Sequence, residues 1–230
     1  MEKQIVILGD IKLRPSYYSD TEAKRAFKHA FSLVGKKYAE DFSEKFHMTG
    51  DGWKFEGSLR TEDHLFSIID TIRDRLNPIK LYMGVGLHEE IPGTEKSTLD
   101  PDGPAYRAAK NAMEYLRQDN PNDEREVYLQ MPEGGPSPLP LDGMNVMLHL
   151  VCITELSWTE IQRATFRELA AGSIQKECAK AFRVSQSTIS RWVTSKNYRV
   201  YEIMREELQS FAKDVWTWEK EHESQSADKM

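Results

Sequence analysis

Residues 132–140 read Pro-Glu-Gly-Gly-Pro-Ser-Pro-Leu-Pro, and this run constrains the fold more than any other stretch of the chain. Proline removes a backbone donor and fixes φ, while glycine loses the most freedom on ordering, so together they end helices and strands alike. A chain of 230 residues interrupted here divides into residues 1–131 and 141–223, joined by a linker at 132–140. Each part is long enough to bury a core of its own. The polar stretch 224–230 is expected to be a disordered tail.

Several classes are set aside by composition. Hydrophobic residues make up 39% and charged residues 30%, as in ordinary globular proteins, and no apolar run reaches the roughly 20 residues of a bilayer crossing. The start, Met-Glu-Lys-Gln-Ile-Val-Ile-Leu, has too short an apolar stretch and no cleavage site for a signal peptide. A cytoplasmic protein without a membrane partner is the expectation. Cys152 and Cys178 sit inside apolar helical patterns and read as buried free thiols, which implies neither a disulfide nor zinc.

Within 1–131 the apolar period switches repeatedly between two and 3.6. Gln4–Gly9 reads as a buried strand ending at Asp10, and a helix capped at Asp20 or Thr21 carries Ala23, Phe27, Ala30, Phe31 and Val34. Phe42–Met48 and Trp53–Phe55 flank Thr49-Gly50-Asp51-Gly52, a hairpin turn. A second helix opens at Thr61 and stops at Asn77-Pro78, a strand covers Ile79–Leu87, a third helix starts at Pro104, and a last strand covers Glu126–Met131. The order βαββαβαβ predicts an α+β, ferredoxin-like sheet with helices packed against it. With the first strand beside the hairpin, Asp10 and Asp51 are candidate ligands for a divalent cation such as magnesium. A turn aspartate between glycines also fits a purely structural role. Gly84-Val85-Gly86 is too isolated for a phosphate loop, and the six histidines show no metal-ligand spacing.

From Leu141 the pattern is helical almost to Glu221. Within it, Gln175–Thr194 reads QKECAKAFRVSQSTISRWVT, the pattern of a helix-turn-helix that docks in duplex DNA. Two short helices crossing steeply need a small residue at the contact and apolar plugs on both sides. Ala179 is the small residue, with Cys178, Phe182, Val184, Ile189 and Trp192 or Val193 as plugs, after a preceding helix at Leu156–Ala171. Ser185 stands where the second helix needs an N-cap. Gln186, Ser187, Thr188, Ser190 and Arg191 then face outward to base edges and phosphates, and Lys176 and Lys180 lie where the first helix crosses the DNA backbone. Arg183 occupies a turn position that usually carries glycine, because a positive φ is often needed there. Charge agrees with this reading. Nine cations against five carboxylates between Glu155 and Arg205 give a local +4, leaving −10 for the rest of a chain of net −6.

Together with Trp158–Arg163 and Leu169–Ile174, this stretch resembles the tetrahelical DNA-binding modules of response regulators and sigma-factor region four. In the first module, Gly9-Asp10-Ile11 and His47–Trp53 look like the two metal-binding segments of class III nucleotidyl cyclases and the related GGDEF domains. Across nearly the whole chain the combination is most similar to the SatD family, a cyclase-like domain joined to a helix-turn-helix. The resemblance implies Asp10 and Asp51 as magnesium ligands and a nucleotide as a possible ligand. It also assigns His47 to the position of the cyclases' purine-selecting lysine. Tyr106 and Lys110 stand where cyclases carry transition-state asparagine and arginine, and the GGDEF signature is reduced to Thr-Gly-Asp-Gly-Trp. Three readings of the first module stay open: ligand sensor, active cyclase or nucleotidyltransferase, and structural scaffold. The whole is expected to be a transcriptional regulator that binds duplex DNA as a homodimer. The predicted dimer face is the last helix, with Val200, Ile203, Met204, Leu208, Phe211, Val215 and Trp218 on one side.

Overall fold

The computed structural model describes residues 2–50, 53–90, 99–118, 124–132, 139–170 and 172–227, the side chains of Glu2, Glu90 and 216–227 excepted. Asp51, most of the linker and Trp218 as a side chain therefore lie outside the described residues. The fold is α+β. In chain order it runs β1 (Glu2–Leu13), α1 (Asp20–Lys37), β2 (Phe42–Thr49), β3 (Lys54–Leu59), α2 (Leu65–Leu76), β4 (Lys80–Glu90), α3 (Pro104–Leu116) and β5 (Val127–Gln130). There follow α4 (Leu139–Leu156), α5 (Glu160–Ala170), α6 (Gln175–Phe182), α7 (Gln186–Val193) and α8 (Lys196–Ala227). The first eight elements stand in the order expected from periodicity. α8 continues through residue 227, past the point where the polar composition of 224–230 suggested a tail.

The sheet is mixed, in the order β2-β3-β1-β4-β5, with β1 antiparallel to both neighbours and β5 parallel to β4. Some boundaries differ from expectation. β1 does not stop at Asp10: β4 runs beside it to Leu13, and Asp10 pairs with Tyr82 inside the ladder. α2 starts at Leu65 because Thr61 bonds locally to Asp63 and leaves the preceding residues in a turn. α5 starts at Glu160, where Thr159 and Gln162 exchange hydrogen bonds across the helix entry.

Alternation along the strands sends Ile5, Ile7, Phe55, Leu59, Met83 and Val85 to one face, where α1 and α2 close the core with Phe27, Phe31, Ile68, Ile69 and Ile72. α1 is fixed at its entry by a capping box between Ser19 and Glu22. Among the described residues, the helix on the opposite face is α3. Gly84 and Gly86 make that approach possible, since a Cβ at Gly86 would lie 1.8 Å from the Ala105 carbonyl oxygen and one at Gly84 2.4 Å from that of Ala109. The alanines of α3 meet glycines of β4, so Gly84-Val85-Gly86 has a packing role.

Packing continues across the Pro/Gly run. Leu141, Met144, Leu148 and Val151 of α4 and Met204, Leu208, Ala212 and Val215 of α8 belong to the same buried cluster as the sheet. Asn145 of α4 accepts from the Leu129 N–H at 2.8 Å and donates to the Leu129 carbonyl at 2.9 Å. A side chain thus makes the two bonds that a further strand beside β5 would make. Arg73 of α2 bridges Glu126 and Glu155, both at 2.8 Å. Arg167 of α5 pairs with Asp74 at 3.2 Å, and Arg205 of α8 pairs with Asp70. Among the described residues, α4 is long and apolar enough to cross a membrane by length and composition, and its inner face is core.

Candidate functional site

Two places gather polar side chains that the sheet and helices do not need for themselves. The first is the α6–α7 unit. α6 ends on Arg183 at φ 55, ψ 40, the one non-glycine residue with positive φ among those described, and the Arg183 N–H donates to the Ala179 carbonyl. That left-handed residue reverses the chain within three positions. Ser185 then caps α7, its hydroxyl accepting from the Thr188 N–H at 3.0 Å. Cys178 and Ile189 are buried between the helices. Phe182, Val184, Trp192 and Val193 are half-buried around them. Burial also pushes the Cys178 thiol above its usual range and the Cys152 thiol to about 11, so both free cysteines are held protonated.

Around this plug the polar positions point outward. Gln186, Ser187, Ser190 and Arg191 of α7 are exposed, as are Lys176 and Lys180 of α6 and Ser185 in the turn, while Thr188 is half-buried. The Ser185 hydroxyl lies 2.8 Å from those of Ser187 and Thr188, which orders the first turn of α7. Side chains with both donors and acceptors and the Arg191 guanidinium are thus exposed together on α7, with the two lysines exposed on α6. α5 stands behind them, held to the rest by Trp158 stacked edge-on against Phe166 and Tyr201.

The second place is the face of the sheet that α3 covers only in part. Leu8 and Glu56 pair in register, as do His47 and Glu56 on the next strand, so all three project to the α3 side. Glu56 is the centre of a small cluster. His47 Nε2 lies 3.2 Å from one of its oxygens, and the Tyr106 hydroxyl donates to the other at 3.1 Å. Burial, and then the Glu56 charge, raise the Tyr106 phenol above its ordinary range. Lys110, one helical turn beyond Tyr106, is exposed.

Asp10 lies on the same face and is already engaged. Its Oδ1 accepts from the Ile11 N–H at 2.8 Å, and Arg117 at the end of α3 donates to Oδ2 at 2.5 Å. Among the described residues no group of three His, Cys, Asp or Glu side chains converges on one point. Arg117 thus meets the charge of Asp10, and Asp51, the second candidate ligand, lies outside the described residues. His47 and Tyr106 are brought together, through a residue that motif spacing did not single out. Glu56 was visible only as the polar member of an alternating strand, Lys54-Phe55-Glu56, and Arg117 only as the last cation on the Tyr106–Lys110 side of a helix.

Compared with known protein families, the chain matches the SatD family over residues 4–211, a span that takes in the sheet, α4 to α7 and half of α8. No curated protein matches it. Since the match covers far more than half of the sequence, the chain belongs to the SatD family.

Proposed function

We propose that this protein is a sequence-specific DNA-binding transcriptional regulator of the cytoplasm, in which α6 and α7 form a helix-turn-helix and the sheet module senses a ligand. The observation that carries the reading is the α7 surface. A capped helix enters behind a left-handed turn and presents Gln186, Ser187, Ser190 and Arg191 to solvent, with Lys176 and Lys180 on the neighbouring helix. Arginine reads guanine and glutamine reads adenine by paired hydrogen bonds in the major groove, and lysines meet phosphates. The sheet module, of ferredoxin-like and cyclase-like type, would hold a nucleotide over His47, Glu56, Tyr106 and Lys110, with a glutamate that accepts donors and cations that meet phosphate. Magnesium would enter with that ligand.

Selection of bound fragments from genomic DNA, followed by anisotropy titrations, tests the DNA reading. Gln186→Ala and Arg191→Ala should each cost about 1–3 kcal/mol on the selected site and far less on unrelated duplexes. Lys176→Ala and Lys180→Ala should weaken binding to all sequences and make its salt dependence shallower. A double Gln186→Ala, Arg191→Ala variant that binds the selected site like the parent would remove α7 as the reader. Calorimetry against ATP, GTP and cyclic nucleotides, with and without magnesium, tests the sensor half. There, Glu56→Gln and Lys110→Ala should abolish whatever binding the parent shows.

A further inference from the structure

α8 does not offer the stripe expected to face a second copy. Met204, Leu208 and Val215 are buried within the chain, because α8 turns them to α4 and the sheet. Toward α2 its first half meets the sheet module through charge. Asp70 and Asp74 of α2 reach Arg205 of α8 and Arg167 of α5, and all four line a cleft of about 880 Å³. α1 and α2 form one wall; α5, α8, the first residue of α6 and the last of α7 form the other. None of His47, Glu56, Tyr106 and Lys110 lines it, so it is separate from the sheet-face cluster.

Charge is not balanced in this cleft. Of the carboxylates that line it, Asp70 and Asp74 are held by Arg205 and Arg167, and Glu155 is held by Arg73 at 2.8 Å. Lys37, Arg75, Arg163 and Arg199 also line it, and none of the four enters an ion pair among the described residues. Against them stand Glu206 and Glu202, the latter hydrogen-bonded to the Tyr198 hydroxyl. The surplus is positive. Arg163 is half-buried and gives one guanidinium nitrogen to the Glu155 carbonyl at 2.7 Å, which leaves the rest of its planar fork for another acceptor. The apolar part of the lining is aromatic. Phe166 packs on Tyr198 with ring centroids 4.3 Å apart, and Trp158 meets Tyr201 edge-on at 4.7 Å. Phe166 and Tyr198 are buried, while Trp158 and Tyr201 keep part of their rings open. The volume falls within the roughly 300–1,000 Å³ of small-molecule pockets, which favour junctions of this kind. An anion would meet the unpaired guanidiniums, and a flat ring would lie against the aromatic lining.

We infer that this cleft binds a small anionic ligand built on a planar ring, a ring carboxylate or a nucleoside phosphate, with Arg163 and Arg199 meeting the anion and Trp158 and Tyr201 meeting the ring. Neither DNA binding nor the sheet-face cluster is needed for it. Anilinonaphthalene sulfonate, a sulfonate on fused rings, is the probe. Titrated into the full chain, it should brighten on binding. Arg163→Gln and Arg199→Gln should each weaken that binding about tenfold, the factor for one lost charge-assisted hydrogen bond, whereas Lys36→Gln, exposed on α1 outside the cleft, should not. AMP and salicylate are the competitors: displacement by AMP marks a nucleoside phosphate as the ligand class, and displacement by salicylate a ring carboxylate. Arg199 is exposed, so Arg199→Gln decides the matter if Arg163→Gln fails to fold. Probe binding unchanged in Arg199→Gln overturns the inference. So does a chain that does not bind the probe, a probe that neither competitor displaces, or binding lost in Leu150→Asp with circular dichroism unchanged, which would place the probe on the exposed apolar side chains of α4.

Discussion

Arg183 holds a left-handed conformation, φ 55 and ψ 40, which costs an L-residue roughly 1–2 kcal/mol. Glycine adopts it without strain but gives up about 0.5–1 kcal/mol in unfolded-state freedom. Arg183→Gly should therefore stabilise the chain by about 0.5–1 kcal/mol in urea unfolding, and Arg183→Val should destabilise it. Tyr106 offers a spectroscopic test of the sheet-face cluster. Its phenol is raised first by burial and then by Glu56, so Glu56→Gln removes the second cause and leaves the first. Absorbance titration, taken as a difference against Tyr106→Phe, should show the phenol ionising at lower pH in Glu56→Gln than in the parent. An unchanged titration would mean that Glu56 and Tyr106 do not meet.

At the scale of elements, α4 is the helix whose role is least like its composition. It is apolar nearly all round, a pattern that belongs to helices covered on most sides, and among the described residues its inner face closes the edge of β5 through Asn145. Asn145→Ala would leave the buried N–H and carbonyl of Leu129 without partners. Each orphaned group costs about 1–3 kcal/mol, so a loss of about 2–6 kcal/mol is expected, with hydrogen exchange at the Leu129 amide accelerating more than at Ile5 in the sheet centre. Equal acceleration at both would indicate global destabilisation rather than release of an edge.

For the whole molecule, charge joins the parts that the Pro/Gly run separates in sequence. Burial by itself would lower the pKa of Arg73, but the charges of Glu155 and Glu126 raise it further, and the guanidinium stays charged. Arg73→Met should cost about 3–5 kcal/mol at neutral pH, because two enclosed carboxylates lose their shared cation. Paired urea-unfolding curves of Arg73→Met and the parent would show the loss. At the alkaline end, burial and then Glu202 push the Tyr198 phenol from 10.0 up to about 12. The folded chain then binds more protons than the unfolded chain between those values, so stability present below pH 10 is lost as pH rises toward 12. Tyr198→Phe should flatten that part of the stability curve.

The sequence by itself determined what depends on near neighbours along the chain. The eight-element order of the first module follows from periods of two and 3.6. The left-handed residue at position 183, the Ser185 cap and the burial of Cys178 and Ile189 follow from spacings within two turns of helix. These relations are local, so the pattern that encodes them is contiguous. Only the tertiary structure decided which distant charges meet. Asp10 faces Arg117 instead of standing free at a strand end, Glu56 links His47 to Tyr106, and α4 and α8 share the core of the sheet. Each of these depends on strand order, register and the face a helix turns inward, and a residue's identity carries no record of a partner a hundred positions away.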